Sequence, residues 1–202
     1  MMIKALLFDI GGVLYRSLRG GPRRKWEQQL GLSQGQLADV VFTHPLALRA
    51  TIGQVTPDEV WQAVGEYFSL SLEDLSALRF DFWRDGEWDM ELLDFIRSIK
   101  PHYKTGTVSD AWLDARQNVK PYVNYKIFDV IVFSAEEGVM KPDPEIYQRT
   151  LTRLDVNPRE SAFVDDRMPN TLGARQLGMH AIQHTETGRT IDEIRRLLQS
   201  QN

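Results

Sequence analysis

An α/β fold, a parallel sheet covered by helices on both faces with a helical insertion after its first strand, is predicted by three observations. Five short apolar runs read as buried strands: Ile3–Asp9, Lys104–Ser109, Val130–Ser134, Ala162–Asp165 and His180–Gln183. From the second run onward helical patterns separate them, and strands that alternate with helices form parallel sheets. Two of the runs end in carboxylates, at Asp9 and at Asp165-Asp166. A charge at the carboxyl end of a buried strand does not serve packing, and open α/β sheets hold their ligands in that crevice.

The elements follow in order. The stretch between residues 9 and 104 is too long for one crossover helix and reads as several. Ser33-Gln34-Gly35-Gln36 and Thr56-Pro57-Asp58-Glu59 have the pattern of capping boxes. After the second of these, Val60, Trp61, Val64, Tyr67 and Phe68 share one helical face. Phe80, Phe82, Trp83 and Trp88 add aromatic surface, which packs between insertion helices or, at Trp83 or Trp88, faces a substrate. Residues 15–88 are accordingly expected to be a helical cap, mobile over the end of the first strand, and residues 1–14 and 89–202 the core. The cap opens with Arg16, Arg19, Arg23, Arg24 and Lys25, a solvated basic face or a lure for anions. Gly20-Gly21-Pro22 reads as a hinge or turn and His44-Pro45 as a loop. In the core, Asp143-Pro144 offers an N-cap and a first-turn proline, and Asn157-Pro158-Arg159-Glu160 and Thr190-Ile191-Asp192-Glu193 resemble capping boxes at helix starts.

The chain has 202 residues, 42% hydrophobic and 26% charged, which suits one sizeable globular domain or a core with a large insertion. No apolar run approaches the ~20 residues of a membrane span, and Met1-Met2-Ile3-Lys4 lacks a signal-peptide pattern. There is no cysteine, so disulfides and thiolate metal sites are excluded. The net charge of −4 provides no general attraction to nucleic acid. The expectation is a cytoplasmic protein with neither a membrane nor a nucleic-acid partner, its oligomeric state left open.

Four segments carry the chemistry. Asp9 at a strand tip suits a nucleophile, a metal ligand or both, and the Gly11-Gly12 that follows turns the chain sharply beside a ligand. Asp165-Asp166 ends a second strand, and a switch point would bring the two tips together. Clustered carboxylates facing an anionic substrate call for a hard cation, Mg²⁺, held by Asp9 and Asp166. Thr107-Val108-Ser109-Asp110 can hold a phosphate oxygen through its hydroxyl and amides, or cap a helix. Lys141, stiffened on its carboxyl side by Pro142 and Pro144, can pair with Asp9 and with a transferring phosphoryl group. Its role is expected to lie in transfer rather than in folding.

In order and spacing these segments resemble the haloacid dehalogenase-like (HAD) hydrolase superfamily. FDIGGVL resembles its first motif and TVSD its second; GVMKPDPEIY carries the lysine of the third, and FVDDRMPNTLGARQLGM resembles the fourth. The resemblance covers residues 3–14 and about 90–185. It implies a Rossmann-like core with a C1-type helical cap, as in the glucose-1-phosphate phosphatases and the epoxide hydrolase N-terminal domain. It implies Asp9 and Lys141 as catalytic residues, with Ser109, Asp110 and Lys141 as phosphate-binding ones. The metal set it implies is Asp9, the Gly11 carbonyl, Asp166 as direct ligand and Asp165 beside it. Asn170 and Gly173 match the helix after the fourth motif.

One position departs from the family pattern. Phosphatases of the family usually carry an acid–base Asp two residues after the nucleophile, and here that residue is Gly11. Three readings follow: a Mg²⁺-dependent phosphatase of a small phosphorylated metabolite working through an aspartyl-phosphate on Asp9, a phosphate-binding or regulatory protein with poor turnover, and a 2-haloacid dehalogenase. The dehalogenase has no use for the Asp165-Asp166 pair.

Overall fold

In the computed structural model, which describes residues 2–18, 20–119 and 125–199, five parallel strands line up as β5-β4-β1-β6-β7. They are β1 (Ala5–Phe8), β4 (Lys104–Ser109), β5 (Val130–Phe133), β6 (Ser161–Asp165) and β7 (His180–Gln183). β1 lies in the middle, with Leu7 opposite Gly106 on one side and Phe163 on the other. The chain fills the β4–β5 side first and then crosses back to β6, so the strand order reverses between β1 and β6.

Side-chain alternation explains the layers. Leu6 and Phe8 join a core with Leu92, Ile96 and Ile194, from helices α6 (Met90–Ile99) and α11 (Thr187–Gln199). Ala5 and Leu7 face the other way, onto Ile146, Leu151 and Ala174 of α9 (Pro144–Leu154) and α10 (Met168–Leu177). Strands buried on both faces need the near-continuous apolar runs seen in the sequence. Two short helices, α7 (Ala115–Val119) and α8 (Ser134–Glu137), complete this part.

Between β1 and α6 the chain builds a lobe of five helices: α1 (Pro22–Gln29), α2 (Gln36–Thr43), α3 (Pro45–Thr51), α4 (Pro57–Tyr67) and α5 (Leu72–Trp83). Leu37, Val41, Val60, Trp61, Val64, Leu78 and Phe82 form its separate core, which Trp112 enters from the β4 side. The lobe joins the sheet through an antiparallel ribbon of β2 (Tyr15–Ser17) and β3 (Gly86–Trp88), with Tyr15 opposite Trp88. Beyond the ribbon the Asp89 amide donates to the Leu14 carbonyl at 2.8 Å. A second attachment runs through Ser134, whose hydroxyl donates to the Thr51 carbonyl at 2.6 Å and accepts from the Ala111 amide at 2.9 Å.

Several local expectations change. The Thr56–Glu59 capping box forms with both of its bonds, and Asp143 caps α9 through the Glu145 amide. The Asn157–Glu160 box closes a single 3₁₀ turn, Pro158–Glu160, that leads straight into β6. Thr190 lies inside α11, which begins at Thr187, and its hydroxyl is bound to His184 Nδ1. Ser33 and Gln36 bond each other, but the helix starts at Gln36 after a left-handed Gly35. His44 is a cap rather than a loop residue, its Nδ1 accepting from the Leu46 amide. Tyr67 leaves the buried face of α4 and is exposed.

The basic run is committed to local pairs: Arg16 to Asp89, Arg23 to Asp85 and Arg24 to Glu27. Arg19 lies outside the described residues. Cations already neutralised by buried carboxylates add little long-range attraction, so Arg16, Arg23 and Arg24 are spent within the fold while Lys25 stays exposed.

Candidate active site

The reversal of strand order between β1 and β6 brings Asp9 and Asp165 to adjacent tips, with Asp166 one residue on. One oxygen from each of Asp9, Asp165 and Asp166 lies within 4.8 Å of the others. Asp9 Oδ1 accepts from the Ile10 amide at 2.7 Å and pairs with Lys141 Nζ at 3.0 Å. Burial pushes Asp9 up to about 7; Lys141 pulls the other way and Asp165 adds to the rise.

Asp165 and Asp166 are neighbours with opposite surroundings. Asp165 is fully buried, and its oxygens accept from Lys141 Nζ at 2.7 Å, the Arg167 amide at 2.8 Å and Asn170 Nδ2 at 3.0 Å. Asp166 is the most open carboxylate of the three; burial and then the charge of Asp165 raise its pKa. Its position depends on Gly12, whose φ is +80° and whose missing Cβ would stand 2.5 Å from Asp166 Oδ2. Only glycine combines that backbone conformation with so close an approach.

Lys141 is one of the most buried side chains of the site, 2% exposed. Burial alone would depress its ammonium, but Asp9, Asp165 and Asp110 outweigh that and hold its pKa above the ordinary lysine value. Its loop is positioned by Asp110, whose Oδ1 accepts from the Lys141 amide at 2.9 Å. Gly173 of α10 lets that helix approach Pro142, since a Cβ there would be 2.8 Å from the Pro142 carbonyl oxygen. Loss of this ammonium would leave two buried carboxylates uncompensated, so Lys141 bears on stability besides the transfer role expected of it.

Ser109 ends β4 in a buried position, beside Asp110. Burial raises the Asp110 carboxyl against the pull of Lys141. Asp110 Oδ2 and Thr107 Oγ1 are buried with no hydrogen-bond partner among the described residues, a condition that ligand oxygens, protons or water relieve. Gly11 bridges to Tyr15 by backbone and has nothing within 4 Å of where a Cβ would stand.

The structure thus brings every sequence-derived site residue to one end of the sheet. Three supports stand behind these residues; sequence reasoning named Asn170 only as a match to the fourth motif and missed the other two. Asn170 orients Asp165, Tyr15 donates its hydroxyl to the Trp83 carbonyl at 3.0 Å, and Trp112 ties the segment after Asp110 into the lobe. Tyr15 and Trp112 carry no spacing signal; the aromatic content of the segments beside the motifs was the only hint.

Comparison with known proteins agrees with this geometry. Residues 91–178 match the family model described as haloacid dehalogenase-like hydrolase. The chain is 26% identical over 201 residues to the sesquiterpene phosphatase astK of Aspergillus oryzae, covering 96% of each. It is 26% identical over 194 residues to the D-ribitol-5-phosphate phosphatase of Bacteroides thetaiotaomicron, covering 90% of this chain and 92% of that one. Against longer relatives it matches a part, 40% of mouse bifunctional epoxide hydrolase 2. The fold superposes on the HAD family enzyme bt-2542 of B. thetaiotaomicron, solved with magnesium and inorganic phosphate, with a TM-score of 0.76 at 21% identity over 92% of this chain and 96% of that one. By family model and by these relatives the chain is similar to the haloacid dehalogenase-like hydrolases. Among the described residues no helix is long and apolar enough to cross a membrane.

Proposed function

We propose that the protein is a phosphatase of a small phosphorylated metabolite, dependent on Mg²⁺ and working through an aspartyl-phosphate on Asp9. The observation that carries this reading is the convergence of Asp9, Asp165 and Asp166 on one point, with the Lys141 ammonium beside them. Two of the relatives above are phosphatases by name, a sesquiterpene phosphatase and a D-ribitol-5-phosphate phosphatase.

The residues present fit a hard divalent cation. All side-chain donors are carboxylate oxygens, and the Gly12 backbone leaves room for the Asp166 carboxylate and no more. Asp9 and Asp166 would hold the ion, with the Gly11 carbonyl beside them; the oxygens of Asp165 are already taken up by Lys141, Asn170 and the Arg167 amide. When bound, the ion supplies positive charge against the phosphoryl oxygens and the clustered carboxylates.

Asp9 Oδ1 is held by the Ile10 amide and Lys141, which leaves Oδ2 to attack phosphorus. The P–O ester bond breaks, the alcohol departs and takes up a proton, and water then cleaves the acyl phosphate to free inorganic phosphate and Asp9. Ser109 and the adjacent backbone amides hold the phosphoryl oxygens, and Lys141 offsets their charge. Gly11 contributes no proton, so leaving-group basicity limits the rate. The helical lobe, residues 15–88, acts as the cap that excludes water and selects the alcohol.

The test is a panel of phosphorylated metabolites assayed for phosphate release with Mg²⁺ and with EDTA. Mg²⁺-dependent release that disappears in Asp9→Asn supports the reading. Tight substrate binding without turnover supports the regulatory alternative, and halide release from 2-haloacids would replace the reading altogether.

A further inference from the structure

We infer that Phe42, Trp83 and Trp112 form an aromatic subsite above the phosphate site, and that it takes the leaving group of an aryl phosphate monoester in preference to a polyol or simple alkyl phosphate. The inference rests on the phosphatase reading and names its substrate class.

The two tryptophans come from different segments, Trp83 from the end of α5 and Trp112 from the stretch after β4. Trp83 is anchored on the nucleophile side, because Tyr15 bridges Gly11 by backbone and donates its hydroxyl to the Trp83 carbonyl. Trp112 comes from the segment after Ser109 and Asp110, where Asp110 accepts the Lys141 amide. The two rings meet edge to face, 5.5 Å between centroids and 88° between planes. β1 and β4 are adjacent strands, so the segments that anchor this pair lead on from neighbouring tips. Phe42 of α2 closes the group, 6.1 Å from Trp83 and 6.2 Å from Trp112, and it remains 44% exposed.

Two features separate this group from ordinary core packing. A phenylalanine that touches three buried or half-buried rings and still faces solvent leaves apolar surface for a ligand to cover. Trp83 Nε1 is buried with no hydrogen-bond partner among the described residues, a donor that a ligand oxygen would satisfy. Aromatic faces and edges favour another ring by offset or edge contacts. The hydroxyls of a polyol would give up water there and regain little.

The chemistry of the nucleophile loop points the same way. Gly11 has no side chain to protonate a departing oxygen. A phenoxide leaves with far less need of a proton than an alkoxide does. A ring-binding subsite beside a loop without an acid suits one substrate class on both counts.

The test separates binding from turnover. Affinities of two non-hydrolysable probes, 1-naphthylmethylphosphonate and 3,4-dihydroxybutylphosphonate, are measured with Mg²⁺ by quenching of tryptophan fluorescence and by calorimetry. Wild type is expected to bind the aryl probe at least about tenfold more tightly, and Phe42→Ala and Trp83→Leu each to cut that ratio to about threefold or less. Phe42 is exposed, so its truncation empties no core, and circular dichroism verifies both folds. Equal affinities in wild type, or an undiminished ratio in both folded variants, would overturn the subsite. Mg²⁺-dependent hydrolysis of acetyl phosphate, which has no aryl group, is read in parallel. Aryl preference without that hydrolysis removes the phosphatase reading and keeps the subsite; hydrolysis without aryl preference does the reverse.

Discussion

Lys141 and Asp165 lie 2.7 Å apart with side chains 1% and 0% exposed, and the same ammonium reaches Asp9 at 3.0 Å. Removing one partner of such a pair leaves a buried charge without compensation, at a cost of about 3–5 kcal/mol. Lys141→Ala is therefore expected to lower both the thermal midpoint at pH 8 and kcat, the latter by ~10²-fold or more. The double variant Lys141→Met/Asp165→Asn should recover much of the midpoint and none of the turnover. A single variant as stable as wild type in calorimetry contradicts the structural half of this account.

Asp165 and Asp166 should respond to substitution in opposite ways. Asp165→Ala breaks bonds to Lys141, Asn170 and the Arg167 amide and is expected to destabilise the fold by several kcal/mol. Asp166→Ala should leave the denaturation midpoint within about 0.5 kcal/mol of wild type and abolish Mg²⁺ binding in titration calorimetry. Unchanged Mg²⁺ affinity in Asp166→Ala removes that residue from the metal site.

Asp9 ties stability to pH in the metal-free protein. Its pKa is raised to about 7 from an ordinary 3.8, chiefly by burial. The folded state thus binds the Asp9 proton more tightly than the unfolded chain does. The associated stabilisation is complete below the ordinary value and is lost as pH rises through about 7. Asp9→Asn, neutral throughout, should be more stable than wild type in EDTA at pH 8, and the difference should shrink steadily toward pH 4. Denaturant melts at four pH values decide it; a difference independent of pH would refute the linkage.

The two glycines of the nucleophile loop are not equivalent. Gly12→Ala meets a left-handed backbone and the Asp166 carboxylate, so it should weaken Mg²⁺ binding at least tenfold, an effect of about 1.4 kcal/mol. Gly11→Asp has open space and an ordinary φ. It should narrow the rate gap between alkyl phosphates and p-nitrophenyl phosphate by supplying the missing acid. Single-turnover rates for the two substrate types check this, and an unaltered ratio in a folded Gly11→Asp variant counts against the role given to Gly11.

Much of this site is legible in the chain because strand tips announce themselves. Asp9 and Asp165 close apolar runs, and a parallel sheet leaves few ways to arrange five of them. The metal candidates, Ser109 and Lys141 follow from those tips. Capping chemistry was read correctly where the helix also had a buried face, at Thr56 and Asp143. It misled where tertiary contacts decided the start, as at Thr190, whose hydroxyl goes to His184. The β2–β3 ribbon escaped because three-residue strands carry no periodicity. The commitment of Arg16 to Asp89 and of Arg23 to Asp85 joins residues distant in sequence, which pattern alone does not connect.

The single hydrogen bond from the Asp89 amide to the Leu14 carbonyl has an evolutionary meaning. Departure and return of the lobe occur at one point beyond β1, so the sheet meets what lies between only through the ribbon, Ser134 and Trp112. Helices can be lengthened, exchanged or lost on the far side of the ribbon while Asp9, Ser109, Lys141 and Asp165 keep their spacing. Under the function proposed above, selectivity would change by splicing at this doorway and catalysis by altering the sheet itself.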